Sequence, residues 1–339
     1  MTTTLTTPAT DPAAPTRTPP TEELAPFAAP PAAATRDAFG EALLRLGAEE
    51  PRVVVLDADL SESTRSYRFG KAFPARFFQM GIQEANMLGT AAGLALGGKI
   101  AFCCSFSCFV TSRFDQIKVS VAYNAARVTI VGTHAGCGVG PDGYTQMALE
   151  DLALLRSLPN MTVLQPADDL DAVGCVEYLV RDGKGPAFLR LTRQKVPRVH
   201  EDGYRFRFGK LDMLREGKDL AICATGATVH AALQAAEQLA AEGVAVAVAN
   251  VHTIKPLDVE GLAALARASG RVLTVEDHGL TGGLGSAVCE ALAETAPVPV
   301  RRVAVRGFGE SGSTEDLFAK HHLDGPGILL EARKLLGKA

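Results

Sequence analysis

Beyond an opening tract the chain alternates between short, unbroken apolar runs and longer stretches whose apolar residues recur at helical spacing. The runs fall at 53–56, 77–82, 100–104, 128–131, 163–164 and 187–191. Runs that are apolar throughout predict strands buried on both faces, and the helices between them imply a parallel sheet covered on both sides. The intervening helical patterns include 36–46, 84–96, 113–126 and 149–156. The run at 77–82 reads as a buried strand that passes into a helix of small residues.

Residues 195–218 interrupt this rhythm with charge, Pro197, Gly203 and Gly209. It resumes with apolar runs at 220–223, 244–251, 272–275 and 298–305, and with helical patterns at 227–242, 258–268, 284–295, 314–320 and 327–336. The expectation is an α/β protein of two doubly wound domains. A mainly parallel-sheet domain at 34–200 is joined by a linker at 201–214 to a smaller α/β domain at 215–339. Residues 1–33 are rich in Pro, Thr and Ala and poor in large apolar side chains, a composition expected to stay disordered. They lack the basic start and apolar core of a signal peptide.

Length and composition fit this picture. A chain of 339 residues is comfortable for two domains, and 47% hydrophobic with 21% charged residues is ordinary for a globular α/β protein. The net charge of −4, with no basic block, gives no sign of a nucleic-acid or anionic-membrane partner. No apolar run reaches the length of a membrane span. The seven cysteines are scattered, without a CxxC pair or metal-ligand spacing, and read as reduced, mostly buried thiols of a cytoplasmic protein. Cys137, in a glycine-rich loop, is the one that could be reactive.

Three places carry candidate chemistry. Glu84 falls where the run at 77–82 becomes a helix, with little polar company. Desolvation there would disfavour the charged carboxylate and let it share a proton with a ligand nitrogen. A plain helix-start Glu facing the macrodipole is the other reading. Thr133 to Gln146 follows the run at 128–131 and holds Gly136, Gly138, Gly140 and Gly143, with His134 and Asp142 as a donor–acceptor pair for sugar hydroxyls or phosphate. A polar surface loop is the alternative. Phe106 and Phe109, between a strand and a helix, could stack on a flat heterocycle or simply fill a core. Arg36, Ser63 and Arg193 lie near predicted element ends, and guanidinium groups converging there would suit a phosphate.

Taken together, residues 34 to 337 resemble the C-terminal half of transketolase, a pyrimidine-binding domain followed by a C-terminal domain. The resemblance rests on Ala58-Asp59-Leu60, Gly81-Ile82-Gln83-Glu84-Ala85-Asn86-Met87, Phe106 with Phe109, Thr133-His134, Gly140-Pro141-Asp142-Gly143 and Leu155-Arg156-Ser157-Leu158-Pro159-Asn160-Met161. Thr192-Arg193-Gln194, Val275-Glu276-Asp277-His278 and Gly282-Gly283-Leu284-Gly285 extend it. It implies a thiamine diphosphate enzyme in which Glu84 bonds the cofactor's pyrimidine nitrogen and favours the imino tautomer that deprotonates the thiazolium carbon. Phe106 and Phe109 would wall the pyrimidine ring. Asp142 would bond a donor-sugar hydroxyl, and His134, Arg36, Ser63 and Arg193 would hold the sugar's phosphate end.

The chain also departs from the family. Gln146 stands where transketolases usually have a histidine, and an amide can donate a hydrogen bond but cannot shuttle a proton. Ser112 stands where an aromatic often completes the ring pocket. The Gly-Asp-Gly motif and later Asn that hold magnesium and the cofactor's diphosphate in transketolases do not occur here. The resemblance therefore implies one subunit of a split transketolase. It would be active only with an N-terminal, diphosphate-binding partner that holds most of the Mg2+ contacts, in a heterotetramer of two plus two. Competing expectations are the beta subunit of a 2-oxoacid dehydrogenase decarboxylase, a deoxyxylulose-phosphate synthase-like half, and an inactive scaffold of the same fold.

Overall fold

The computed structural model describes residues 31–338. The expectation of disorder over residues 1–33 lies outside the described residues up to residue 30. Beyond that, Ala32–Ala33 forms a short strand antiparallel to Val196–Pro197, which ties the entry of the chain to the far end of the first domain.

The first sheet has seven strands in the order Thr253–Lys255, Thr162–Leu164, Ala187–Arg190, Val128–Thr133, Ile100–Phe106, Val53–Asp57 and Phe77–Gln79. All neighbours are parallel except Thr253–Lys255, which runs antiparallel to Thr162–Leu164. Because successive strand residues face opposite sides, Val53 and Val55 pack with Phe39, Leu43 and Leu46 of helix Thr35–Glu49. Val54 and Leu56 pack on the other side with Met87, Leu88 and Ala91 of helix Glu84–Leu96. Unbroken apolar runs arise because both faces are covered by helices.

The second sheet orders Val300–Val305, Val272–Gly279, Leu220–Ala224, Val246–Asn250 and Asp212–Arg215, parallel but for the last. The protein is thus a mixed α/β chain with two mostly parallel sheets. Asp212–Arg215 already belongs to the second sheet, and Thr253–Lys255 returns from the second half of the chain to edge the first.

Some elements differ from the pattern-based expectation. The run at 77–82 is not a buried strand. Only Phe77–Gln79 is extended, at the open edge of the sheet, with Phe78 37% and Ile82 76% exposed. Gly81, at φ +69°, turns the chain before the helix. Phe106 ends its strand rather than lying beyond it, and Phe109 sits in the short helix Ser107–Thr111. The helix expected over 113–126 is the short turn Phe114–Gln116 running into a π-helix, Ile117–Ala122, with Ile117, Val121 and Ala122 turned inward. Among the described residues no helix is long and apolar enough to cross a membrane.

Buried polar contacts join the two halves. Arg190 Nε lies 2.8 Å from Asp151 Oδ2, and its Nη2 donates to the carbonyls of Ala148 and Asp277. His200 bridges Asp168 Oδ2 through Nδ1 and Asp212 Oδ2 through Nε2, each at 2.7 Å.

Candidate active site

The candidate residues gather at the carboxyl ends of the first sheet's strands, where open parallel sheets place their ligands. Two Thr-Arg pairs begin the assembly. Thr35-Arg36 opens the first helix, and Thr192-Arg193 follows strand Ala187–Arg190. The amide of Thr192 donates to Thr35 Oγ1 at 2.8 Å, and the two hydroxyls meet at 3.0 Å, so both arginines start from one knot.

Arg36 Nη1 donates to the Ser63 carbonyl at 2.9 Å and contacts His134 Nε2 at 3.0 Å. Ser63 therefore contributes its main chain. Its turn is set by Asp57, whose carboxylate accepts from the Leu60 amide and from the hydroxyls of Thr64 and Ser66. His134 is buried at the end of strand Val128–Thr133 with φ +57°, a left-handed conformation that histidine enters more readily than most side chains. A guanidinium can only donate, so His134 Nε2 accepts and the ring proton sits on Nδ1, which donates to Thr133 Oγ1 at 2.9 Å. Burial, then the charges of Arg36, Arg193 and Arg65, push the imidazole down to about 3. It is a neutral hydrogen-bonding group at physiological pH.

Glu84 is the first residue of its helix and is buried. Ser105, in the neighbouring strand, donates its hydroxyl to Glu84 Oε1 at 3.2 Å. Next to Ser105, Phe106 stacks on Phe109 (5.6 Å between centroids, 12° between planes) and on the His134 ring (3.7 Å, 23°). Thr133 Oγ1 lies 3.4 Å from the Ser105 carbonyl. Hydrogen bonds and ring contacts thus run without a break from Arg36 to Glu84.

Gly140 and Gly143, both at φ +80°, turn the loop that carries Asp142 and Gln146. Asp142 Oδ1 pairs with Arg193 Nη1 at 3.0 Å, and the same Nη1 donates to the Val139 carbonyl at 3.1 Å. Gln146, half-buried, ends the turn Tyr144–Gln146. A cavity of about 180 Å³ opens between that turn and helix Ser107–Thr111, lined by Phe109, Ser112, Tyr144, Thr145 and Glu150 among others. Cys137 is buried and its thiol is pushed well above the usual range, so it is not the reactive group that a glycine-rich loop suggested.

Two contributors, Ser105 and Arg65, were not singled out in the sequence, and a third, Thr133, was named only as part of a motif. Ser105 is a hydroxyl inside an otherwise apolar strand, which is itself a legible signal. Thr133 relays the His134 contact. Arg65 adds a third guanidinium near Arg36 and His134, at the left-handed end of helix Ser61–Thr64, with Nε on Asp37 Oδ1 at 2.5 Å and Nη1 on the Glu62 carbonyl at 3.1 Å. Burial and then the Arg65 charge lower the Arg36 guanidinium from its ordinary value. The Arg36 Nε is buried without a hydrogen-bond partner, as a donor awaiting an anionic ligand would be. Among the described residues no group of three or more His, Cys, Asp or Glu could hold a metal ion.

Comparison with known proteins identifies the two domains. Residues 31–199 match the transketolase pyrimidine-binding domain, and residues 209–328 match the transketolase C-terminal domain. The chain is 42% identical to a 6-deoxy-6-sulfo-D-fructose transketolase subunit of Clostridium sp. (strain MSTE9), over 88% of this chain and 94% of that protein. It is 37% identical to an apulose-4-phosphate transketolase subunit of Phocaeicola vulgatus, over 90% of this chain and 98% of that protein. A solved split-gene transketolase, described as an inactive beta4 tetramer, superposes with a TM-score of 0.84 at 43% identity, covering 90% of this chain and 98% of the other. With both domain models matched in order and with these relatives aligned almost end to end, the chain belongs to the transketolase family.

Proposed function

We propose that this chain is the C-terminal subunit of a split, thiamine diphosphate-dependent transketolase that moves a two-carbon ketol unit between sugars with an acidic end. The observation that carries the reading is the continuous link from the buried Glu84 carboxylate, through Ser105, Phe106 and His134, to Arg36. A buried carboxylate beside a stacked aromatic pair fits an aminopyrimidine, and a cluster of cations fits an oxoanion. When bound, thiamine diphosphate supplies the carbon nucleophile that carries the two-carbon unit.

In this reading Glu84 shares a proton with the pyrimidine nitrogen while Ser105 orients its carboxyl group. Phe106 and Phe109 form the ring wall. Asp142 bonds a donor hydroxyl, and Gln146 donates a hydrogen bond near the reacting end. Arg36, Arg193, neutral His134 and the Ser63 turn hold the acidic end of the sugar. The names of the two relatives, one specifying a phosphate and one a sulfo sugar, support an oxoanion of either kind there.

The cofactor's diphosphate and Mg2+ belong to an N-terminal partner subunit, and the assembly is a heterotetramer of two plus two in the cytoplasm. The names of the two relatives, which call them subunits, and the split-gene description of the solved structure support a partner. So does exposed apolar surface: Phe78 on the open sheet edge, Ile82 before the Glu84 helix, Leu96 at its end, and Val119 and Tyr123 on the adjoining π-turn. The all-free cysteines support a reducing compartment.

The test is reconstitution with a chain carrying Gly-Asp-Gly and the later Asn. Ketol transfer should need both chains, the cofactor and Mg2+. Robust turnover by this chain alone, or a stable monomer that ignores the partner, would refute the reading.

A further inference from the structure

The loop carrying Asp142 and Gln146 belongs to the first domain by sequence, yet much of its main chain is held by side chains of the second. The Cys137 amide donates to Asp277 Oδ1 at 2.8 Å, and the Gly138 amide to Asp277 Oδ2 at 3.1 Å. Thr314 Oγ1 donates to the Gly138 carbonyl at 3.0 Å, and Ser311 Oγ to the Pro141 carbonyl at 2.5 Å. Phe308 meets Tyr144 edge-on, with centroids 4.8 Å apart. From the first domain, Arg193 takes the Val139 carbonyl between these points.

The fit leaves no slack on the Asp277 side. A Cβ on Gly136, which sits at φ +81°, would stand 2.1 Å from Asp277 Oδ2. Asp277 itself follows Glu276 in strand Val272–Gly279. The Glu276 carboxyl caps the amides of Leu284 and Gly285, so the strand end that presents Asp277 is fixed in turn. A carboxylate receiving two adjacent amides binds each more strongly than a neutral acceptor would and sets their direction.

We propose that the second domain is the positioning element of the sugar loop: Asp277, Thr314 and Ser311 fix residues 137–142 and thereby the placement of Asp142 and Gln146 against the sugar. The inference rests on the transketolase reading. It assigns to the second domain a task beyond packing, with Asp277, Ser311 and Thr314 as positioning residues that touch neither sugar nor cofactor. Loosening the loop lets Asp142 wander from the hydroxyl it addresses, and small misplacements at a reacting centre are costly.

The experiment uses the reconstituted complex with Thr314→Val, Thr314→Ser and Asp277→Asn. Amide hydrogen exchange at Cys137 and Gly138 should speed up in Thr314→Val and Asp277→Asn. With the ketose phosphate turned over fastest, donor KM should rise roughly two- to tenfold for Thr314→Val, the range of one lost hydrogen bond. The effect on kcat should be smaller. The preference for that donor over its epimer at the hydroxyl beside the transferred unit should shrink by a comparable factor. Thr314→Ser, which keeps the hydroxyl, should restore both values, and the melting temperature of the Thr314 variants should not move.

Faster exchange with unchanged KM and epimer preference overturns the proposal. So does a uniform loss across donors that follows the melting temperature. A parent complex without ketol transfer on any donor sinks the functional reading instead, before any variant is made. In that case loop amides indifferent to Asp277→Asn sink the clamp separately.

Discussion

Arg36 Nη1 donates to His134 Nε2 across 3.0 Å, and this contact fixes which ring nitrogen of His134 carries the proton. Burial and three neighbouring guanidinium groups hold the imidazole down to about 3. We expect a histidine that does not titrate between pH 5 and 8. The unfolded chain takes up this proton below about pH 6.5 while the folded one does not, so the group's effect on stability worsens as pH falls from 6.5 toward 3. Arg36→Met removes one positive neighbour but leaves the burial, so the value should rise from about 3 yet stay below the ordinary 6.5. Ring NMR titration of parent and variant measures both, and a parent His134 with a midpoint near 6.5 contradicts the assignment.

His200 shows the opposite balance. Burial alone would lower it, but its hydrogen bonds to Asp168 and Asp212 win and raise it to about 10. Asp168 correspondingly falls below its ordinary value: burial acts to raise it, and the His200 contact together with the amides of Asp171 and Val199 outweighs that. Asp171 adds a further negative charge, while Tyr204 stacks on the ring at 3.9 Å. Because the folded value lies above the unfolded 6.5, the stabilisation is complete below pH 6.5 and is lost as pH rises through about 10. His200→Gln should cost about 3–5 kcal/mol at pH 7, the usual penalty for stripping one partner from a buried pair. The gap between parent and variant should narrow by pH 10.5. Urea unfolding across that range tests it, and a gap independent of pH contradicts a charged His200 between Asp168 and Asp212.

How much was legible depended on whether a residue's partner lay nearby in sequence. The sheets could be read because Val53–Asp57, Ile100–Phe106 and Val128–Thr133 are covered on both faces and so remain apolar throughout. The same rule misjudged the run at 77–82, because apolar character at an open sheet edge resembles apolar character in a core. Thr253–Lys255 is too short to announce itself, and its partner strand Thr162–Leu164 is far back in the chain. At the site, Glu84, Phe106, Phe109, His134 and Asp142 stand in motifs and could be named in advance. Arg65 and Asp277 could not be assigned tasks. Arg65 lies across space from Arg36 by virtue of a turn, and Asp277 meets amides 140 and 139 residues away.

Arg65 adds positive charge where Arg36 and Arg193 already converge. Arg65→Gln should weaken binding of acid-ended donors several-fold, in keeping with a partly exposed charge worth roughly 1 kcal/mol. It should leave a neutral ketose almost unaffected. Steady-state kinetics at low and moderate salt would reveal it as a rise in KM that fades with ionic strength. An equal effect on charged and neutral donors points to a folding defect instead.

Gln146 occupies the half-buried end of the turn after Asp142, where its amide can donate but cannot carry a proton. We expect Gln146→His to raise turnover of common ketose phosphates in the assembled enzyme by restoring a proton shuttle. Such a gain also means that the natural substrate differs from those sugars. Unchanged turnover across a donor panel removes Gln146 from the reacting end.

Glu84→Gln separates the proposed chemistry from the fold. The amide has the shape of the carboxyl group, and Ser105 Oγ can still donate to its oxygen as it now does to Glu84 Oε1 at 3.2 Å. What the variant lacks is the proton that, in the proposed mechanism, the carboxyl group shares with the pyrimidine nitrogen. General acid–base groups commonly contribute about 10²–10⁴-fold, so ketol transfer should fall at least that far. Cofactor affinity should fall much less, since the proposed function assigns the charge-assisted contacts to the diphosphate to the partner subunit. Calorimetry of cofactor binding beside steady-state kinetics distinguishes the two effects. A Glu84→Gln complex that binds thiamine diphosphate and turns over like its parent removes this carboxyl group, and with it the assigned mechanism, from the chain's account.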